Sequence, residues 1–472
     1  MAVLNARRGA LAGWGQAVRS VAEVVDVDLA DVAALATAVV GAGPRGAIAR
    51  GLGRSYGDPA QNGGGRVLAC ASASGADDLL ARGSIALDPS TGTAIVAGGV
   101  SIADLLDVIV PRGWFVPVTP GTRFVTIGGA IASDIHGKNH HQSDDFGGSF
   151  GNHVVSLRLL LADASVVEVG PDRDPELFWA TVGGMGLTGV IVSATFRLIP
   201  IESSRMSVDT YRLGHLDDVM ARMTDSDTDV RYSVAWLDLL ATGSQLGRGV
   251  LTNGDHATAA QVGGRGDPLT YDARQVVGVP PIVPPRGVIN NLSVRAFNEV
   301  WFRKAPRERV GELQSIPAYF HPLDLVRDWN RVYGRRGFLQ YQFLVPNGEE
   351  AALRTVIESI SRARVPTFLT VLKRFGPGNP APLSFPEAGW TLAIDVATTH
   401  RGLAPLLEQL DTHVLDAGGR HYLAKDCHMS PAALRAGYPR LDAWQEVRSR
   451  VDPRGVWASD QSRRLGLTDR PT

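Results

Sequence analysis

Three glycine-rich stretches hold the residues best suited to chemistry. The first, Arg50-Gly51-Leu52-Gly53-Arg54-Ser55-Tyr56-Gly57-Asp58, places three glycines within seven residues. Such a loop turns tightly and aims its backbone N–H groups at an anion, and Arg54 adds charge. The second joins Thr119-Pro120-Gly121-Thr122 to the run from Thr126 through Ile127, Gly128, Gly129, Ser133, Asp134, Ile135 and His136 to Lys138. A helix starting at Thr126 is predicted, with an uncluttered N-terminus suited to pyrophosphate. Its small side chains also let a flat ring lie close. Each stretch alone fits an ordinary turn or a tightly packed helix; together they favour a ligand cradle. The third, Gly184-Met185-Gly186-Leu187-Thr188-Gly189, matches G-x-G-x-x-G. A Rossmann site needs a strand before it and a helix after it. Here a helix over 175–181 precedes and a strand over 190–198 follows, which disfavours a nicotinamide site. No Walker motif is present.

His136 and Lys138 directly follow the second stretch and lie within reach of a bound ring. His136 reads equally well as structural. Lys138 suits a phosphate as a point charge. Gln340 and Gln342 flank Tyr341 on a strand, so they share one face and can share a pocket. His153, His428 and His140-His141 lack metal-ligand spacing with carboxylates, so no metal is expected. Neither Ser nor Cys stands in a nucleophile motif such as G-x-S-x-G.

The elements that must position these residues read as α+β. Strands are predicted at 47–50, 85–87, 94–97, 154–161, 166–169 and 190–198, with helices at 31–40, 102–110 and 175–181. Ser101 is placed to cap its helix. After residue 200, strands recur at 337–345, 367–372 and 390–396, with helices at 349–362 and 403–417. The segment from His256 to Asn291, with Pro280-Pro281 and Pro284-Pro285, reads as a long mobile loop.

At 472 residues the chain is long enough for two or three domains' worth of core. A formal net charge of −1 argues against a polyanion-binding surface. Two cysteines, Cys70 and Cys427, exclude a disulfide framework but leave one bridge open. No apolar run is long enough to span a bilayer or to serve as a secretory signal. On the residues alone, a cytosolic protein is expected.

The order of Gly51 to Gly57, Pro120-Gly121-Thr122, Thr126 to Gly129 and Gly183 to Gly189 resembles the vanillyl-alcohol-oxidase type of FAD-binding family. Further motifs resemble its branch acting on decaprenylphosphoryl-β-D-ribose. They are Asp134 to His141, Leu339 to Phe343, Lys373 to Asn379, Ala381 to Pro386 and Ala424-Lys425-Asp426. The resemblance spans nearly the whole chain. It implies an FAD-binding domain over 1–200, a substrate domain with an antiparallel sheet over 201–419, and a return to the FAD domain over 420–472. It implies oxidation at C2′ of the ribose, and a partner NAD(P)H-dependent keto-reductase that completes an epimerisation towards cell-wall arabinan. Cytoplasmic, membrane-associated or periplasmic placement, with peripheral membrane contact, is compatible with it.

By the same resemblance FAD is held by Arg50, Gly51, Gly53, Arg54, Ser55, Tyr56, Gly57, Gly121, Thr126, Ile127, Gly128, Gly129, Ser133, Asp134, Ile135, His136, Ile191 and Tyr422. Many relatives tether the ring through a histidine in the first loop. Tyr56 stands there and no histidine does, so non-covalent FAD is expected. Lys425 becomes the first candidate for the base, with His136 and Lys138 next. Gln340, Gln342, Lys373, Tyr319 and Trp236 make up the expected substrate set. Without the resemblance, Lys425 reads as a surface lysine paired with Asp426. Some relatives carry a cysteine where this chain has Ala393. The segment around Asp144-Asp145-Phe146 also looks longer than in relatives. The competing expectation is an FAD oxidase of a soluble polyol or aldonolactone using O2.

Overall fold

Strands dominate the architecture and carry both walls of the site. The computed structural model describes residues 5–71, 76–142, 146–264, 266–275, 277–280, 283–284 and 287–468. In the first 200 residues two sheets of more than two strands form, besides a short pairing of 199–200 with 114–115. One has four strands in the order Ala6–Ala12, Arg19–Asp26, Arg66–Ala69, Ala47–Arg50. Its first pair is antiparallel and the other pairs are parallel. The second sheet has five antiparallel strands, 85–88, 93–97, 190–197, 154–160 and 166–169. Helices Ile102–Ile109 and Ile127–Ala132 pack into the core beside it.

The middle of the chain builds an eight-stranded antiparallel sheet, in the order 308–315, 205–213, 249–256, 232–237, 370–375, 389–397, 338–346, 420–421. Successive side chains of a strand point to opposite faces, and this sheet exploits that fully. Leu339, Tyr341, Phe343 and Val345 enter one core with Leu372, Trp390, Leu392 and Ile394. Helices Leu216–Ser226, Glu350–Arg362 and Leu403–Asp416 cover that face through Val219, Met223, Val356, Ile357, Leu407 and Leu410. The alternate residues, Gln340, Gln342, Lys373, Ala393 and Trp236, line the opposite face.

Several elements escape the sequence pattern. The strand Ala6–Ala12 has no apolar alternation, yet all seven residues pair with 19–26. The strand over 205–213, the helix 216–226 and the 14-residue helix Asn291–Lys304 were not anticipated. The expected mobile loop after His256 is tied down where it is described. It contains a short helix, Ala259–Val262, and a strand, Val277–Gly278, paired in parallel with 326–327. Ser204 Oγ donates to the Thr270 carbonyl at 2.6 Å and Gln275 Nε2 to that of Asp324 at 3.1 Å. Asp144 and Asp145 lie outside the described residues. Cys70 and Cys427 are both free thiols, which closes the question of a bridge. Among the described residues no helix is long and apolar enough to cross a membrane.

The two faces make a direct expectation. Phe343→Ala should cost about 3–5 kcal/mol by leaving a cavity in the helix-covered core. Gln342→Ala, one position away, should cost nearer 1 kcal/mol. Denaturant unfolding of the two variants checks it.

Candidate active site

The sheet's polar face and the glycine loops enclose a cavity of about 1170 Å³. At one end the backbone is unclaimed. Among the described residues, the five successive N–H groups from Gly51 to Ser55 have no protein acceptor, and neither do those of Gly121 and Thr122. A run of free amides on a glycine turn is an anion nest. A Cβ at Gly121 would meet nothing within 4 Å, whereas one at Gly51 would lie 2.2 Å from Thr126 Oγ1. Gly51 is therefore required for the two loops to touch. Arg54 clamps them: its guanidinium lies 4.0 Å over the Trp14 ring and Nε donates to the Phe124 carbonyl at 3.3 Å.

The predicted helix end does not serve as the anion site. Ile127 N–H donates to the Val100 carbonyl and Gly128 N–H to that of Gly98, each at 2.8 Å, and Gly129 N–H to Thr126 Oγ1 at 3.2 Å. The helix has only six residues, and its small side chains serve close packing: a Cβ on Gly128 would come within 3.1 Å of the Gly98 oxygen. The free amides sit in the two loops instead.

Of the residues expected around the cofactor, Gly51, Gly53, Arg54, Ser55, Tyr56, Gly121, Thr126, Gly128, Gly129, Ser133, Ile135, His136, Ile191 and Tyr422 line the cavity. Arg50, Gly57, Ile127 and Asp134 do not, and each has a structural reason. The Arg50 guanidinium donates to the carbonyls of Ala12 and Ala60. Gly57 lies against the C-terminal segment, where a Cβ would stand 1.9 Å from the Asp426 oxygen. Ile127 is fully buried in the core. Asp134 accepts from Ser149, Gly151 N–H, Asn379 and Ser384. Met185, Gly186 and Gly189 join the lining. Their glycine motif, disfavoured as a Rossmann fingerprint, belongs to the pattern that resembles the FAD-binding family.

The other end of the cavity is cationic. The chain has only four lysines, and all four line it. Burial holds Lys138 and Lys373 down to about 7 and Lys425 down to about 8, with the Asp395 carboxylate partly restoring the last. Burial disfavours the ammonium form and leaves an amine able to accept a proton near neutral pH. Lys425 Nζ lies 4.0 Å from the Tyr56 ring centroid. It does not pair with Asp426, which is held by Arg464 at 2.8 Å; the same guanidinium grips Asp58 at 2.8 Å. This pins the Lys425 turn to the first glycine loop, and Tyr56 N–H adds a bond to the Ala424 carbonyl. Asp395 faces the cavity side from strand 389–397. Gln340 Nε2 donates to it at 2.6 Å, and burial raises its carboxyl to about 7. No local pattern points to this partner, which register with Gln340 supplies.

A chain of hydrogen bonds sets the state of His136. Thr391 donates to the Phe343 carbonyl and so accepts from Gln342 Nε2. The same amide group meets His136 Nε2 at 2.9 Å, leaving the imidazole proton on Nδ1, 3.0 Å from Lys373 Nζ. Lys373 is therefore the acceptor, an uncharged amine, in keeping with its burial. Burial keeps His136 well below its usual range, hence neutral. Gln340 and Gln342 are both buried, not on an exposed strand face. Lys138 donates to the Tyr319 carbonyl at 2.5 Å and sits 3.9 Å over its ring. Tyr319 donates to the Tyr232 carbonyl and Trp236 Nε1 to that of Phe368. All five expected substrate residues thus line the cavity. Among the described residues no cluster of three His, Cys, Asp or Glu is placed to hold a metal.

The donor set fits FAD. Seven free amides suit a pyrophosphate, and the side-chain-poor loops admit a flat ring system. Comparison with known proteins agrees. Residues 27–170 match the FAD-binding domain family, and residues 341–465 match the D-arabinono-1,4-lactone oxidase family. The chain is 44% identical over 465 residues to the decaprenylphosphoryl-β-D-ribose oxidase of Mycolicibacterium smegmatis, covering 97% of each chain. It is 39% identical to an uncharacterised protein of Streptomyces coelicolor, over 78% of this chain and all of that one. A putative D-arabinono-1,4-lactone oxidase of Neurospora crassa is 28% identical over 25% of this chain and 20% of its own.

Gly57→Ala forces the first loop away from Asp426, so the variant should lose about 1–3 kcal/mol of stability. It should also lose turnover through a displaced Lys425. Thermal unfolding and steady-state kinetics of the same preparation test both.

Proposed function

The chain belongs to the FAD-dependent decaprenylphosphoryl-β-D-ribose oxidases, and from that premise we propose how its own residues oxidise the ribose 2′-hydroxyl of that lipid-linked sugar to the 2′-keto form. The observation that carries this reading is one cavity with a nest of free amides at one end and desolvated amines at the other. FAD, when bound, supplies the acceptor for the hydride leaving C2′. The residues Gly51 to Ser55, Gly121 and Thr122 hold its pyrophosphate. Lys425, as a free amine, takes the hydroxyl proton. Asp395 then carries the counter-charge for the ammonium that forms, held in place by Gln340. Lys373 and Lys138 receive the substrate phosphate; the phosphodiester monoanion arriving there draws a proton onto one of the amines and is hydrogen-bonded by the other. His136 orients Lys373, while Gln342, Trp236 and Tyr319 close the sugar pocket.

We assign residues 1–200 and 420–472 to the cofactor and 201–419 to the substrate. Arg464 reaching back to Asp58 supports this, although Arg420–His421 pair with strand 338–346. The keto product requires a reductive step, which we assign to a partner NAD(P)H-dependent keto-reductase completing the epimerisation to the arabinose donor for cell-wall arabinan. Peripheral membrane contact follows from the lipid-linked substrate. FAD is bound non-covalently, because Tyr56 occupies the tether position. The match of residues 341–465 to D-arabinono-1,4-lactone oxidase favours a second reading, an oxidase of a soluble polyol or aldonolactone. A neutral sugar brings no anion to the buried Lys138 and Lys373, which weighs against it.

Anaerobic mixing with ribosyl polyprenyl phosphate should bleach the flavin, and free alditols or aldonolactones should not; the reverse pattern would establish the second reading. Acid precipitation should release the yellow colour from the protein. Because burial lowers the Lys425 pKa, the reactive free amine gains population as pH rises, so the bleaching rate should climb to a plateau through about pH 8. Lys425→Met should keep its flavin, lose that limb and slow bleaching about 10²–10⁴-fold.

A further inference from the structure

We propose that helix Asn291–Lys304, with the neighbouring edge strand Glu308–Ser315, is the face by which this chain rests on an anionic lipid bilayer, and that the cavity opens onto that face. The proposal builds on the polyprenyl-linked substrate argued above. Helices on a protein surface ordinarily turn charged residues outward. This one buries only Val294 and Asn298, while Leu292 is 80% exposed, Val300 67%, Trp301 45% and Phe297 42%. At about 100° per residue these four fall within about half the helix circumference. Val310 and Leu313 on the strand are exposed as well. Apolar surface of this extent marks a partner or a membrane.

The cavity indicates which. Phe297, Trp301 and Lys304 belong both to this face and to the cavity lining. The Phe297 ring stacks on Trp301 at 5.9 Å and meets Phe368 edge-on at 5.5 Å, giving an apolar passage from the sugar pocket to the helix. Pockets for drug-sized ligands run about 300–1,000 Å³. The cavity of about 1170 Å³ has to take a dinucleotide and a sugar phosphate, so in this proposal a ten-isoprene tail leaves it, along this passage to the exposed stripe. Charge agrees. Residues 291–315 carry five basic side chains, Arg295, Arg303, Lys304, Arg307 and Arg309, against three acidic ones, in a chain of net −1. Of the acids, Glu299 is shared between Arg248 and Arg303, and Glu312 pairs with Arg309. Basic residues beside an apolar stripe with an interfacial tryptophan match a helix lying in the plane of an anionic surface. The sugar can then enter the cavity while its tail stays in the lipid.

The test uses the holoenzyme and its Leu292→Glu/Val300→Glu variant. Both positions are exposed and neither lines the cavity, and flavin content and unfolding temperature verify the variant's fold. The wild type should co-sediment with vesicles containing phosphatidylglycerol and far less with pure phosphatidylcholine. The variant should lose vesicle binding roughly tenfold or more. It should lose turnover of vesicle-embedded long-chain substrate to a similar degree, yet oxidise a short-chain soluble analogue at the wild-type rate. Unchanged vesicle binding and unchanged use of the embedded substrate would overturn the proposal. So would a change confined to self-association in the absence of lipid, which would make the face a contact between copies. A wild type inactive on both substrates would fault the substrate reading instead, and vesicle sedimentation would still decide the docking face.

Discussion

Keeping charge away from three buried amines that line one cavity is the constraint on which the rest of this structure depends. A lysine that titrates near 7 instead of its ordinary value has lost on the order of 4–5 kcal/mol of preference for its charged form. Lys138, Lys373 and Lys425 all feel this, and burial is the first cause in each case. The chain uses arginine almost everywhere else for surface charge. Arginine stays protonated at any accessible pH, so it cannot give up its charge on burial. Lysine can, and here it does so beside groups that make use of an amine. One is Asp395, near Lys425. Another is the His136 Nδ1 proton aimed at Lys373.

This chemistry is positioned by a simple alternation. The eight-stranded sheet gives its apolar set to three helices and its polar set to the cavity, so Gln340, Gln342, Lys373 and Asp395 are held by the same packing that stabilises the domain. The opposite wall has the reverse character. There the side chains are nearly absent, and the backbone of the first glycine loop presents its amides. Arg464 ties the two walls together by holding Asp58 of the loop and Asp426 beside Lys425. The free amides and the Lys425 turn are thus tied together by one guanidinium.

What was legible in the sequence follows from range. The glycine loops announced themselves because a backbone surface appears directly as composition. Gln340 and Gln342 were readable from period two alone. Helix 102–109 was readable from its cap, Ser101. Free amides were expected on the helix after Thr126 and lie in the loops, because the acceptors that consume the helix amides, Val100 and Gly98, lie on another segment. Asp395 and Arg464 were invisible for the same reason: their partners lie tens to hundreds of residues away. The role of Lys425 was legible only through resemblance. Nothing local distinguishes a lysine next to an aspartate from a surface ion pair, and only the fold shows that Arg464 has taken the aspartate.

With four lysines in the whole chain, the central claim can be read directly. Lysine-selective ¹³Cε labelling of the holoenzyme gives four signals to follow through a pH titration. Three of them, assigned by the single variants of Lys138, Lys373 and Lys425, should move with midpoints near 7 to 8. If all four instead titrate together in the ordinary lysine range, the amines are solvated. The cavity would then lack the desolvated base on which this account rests.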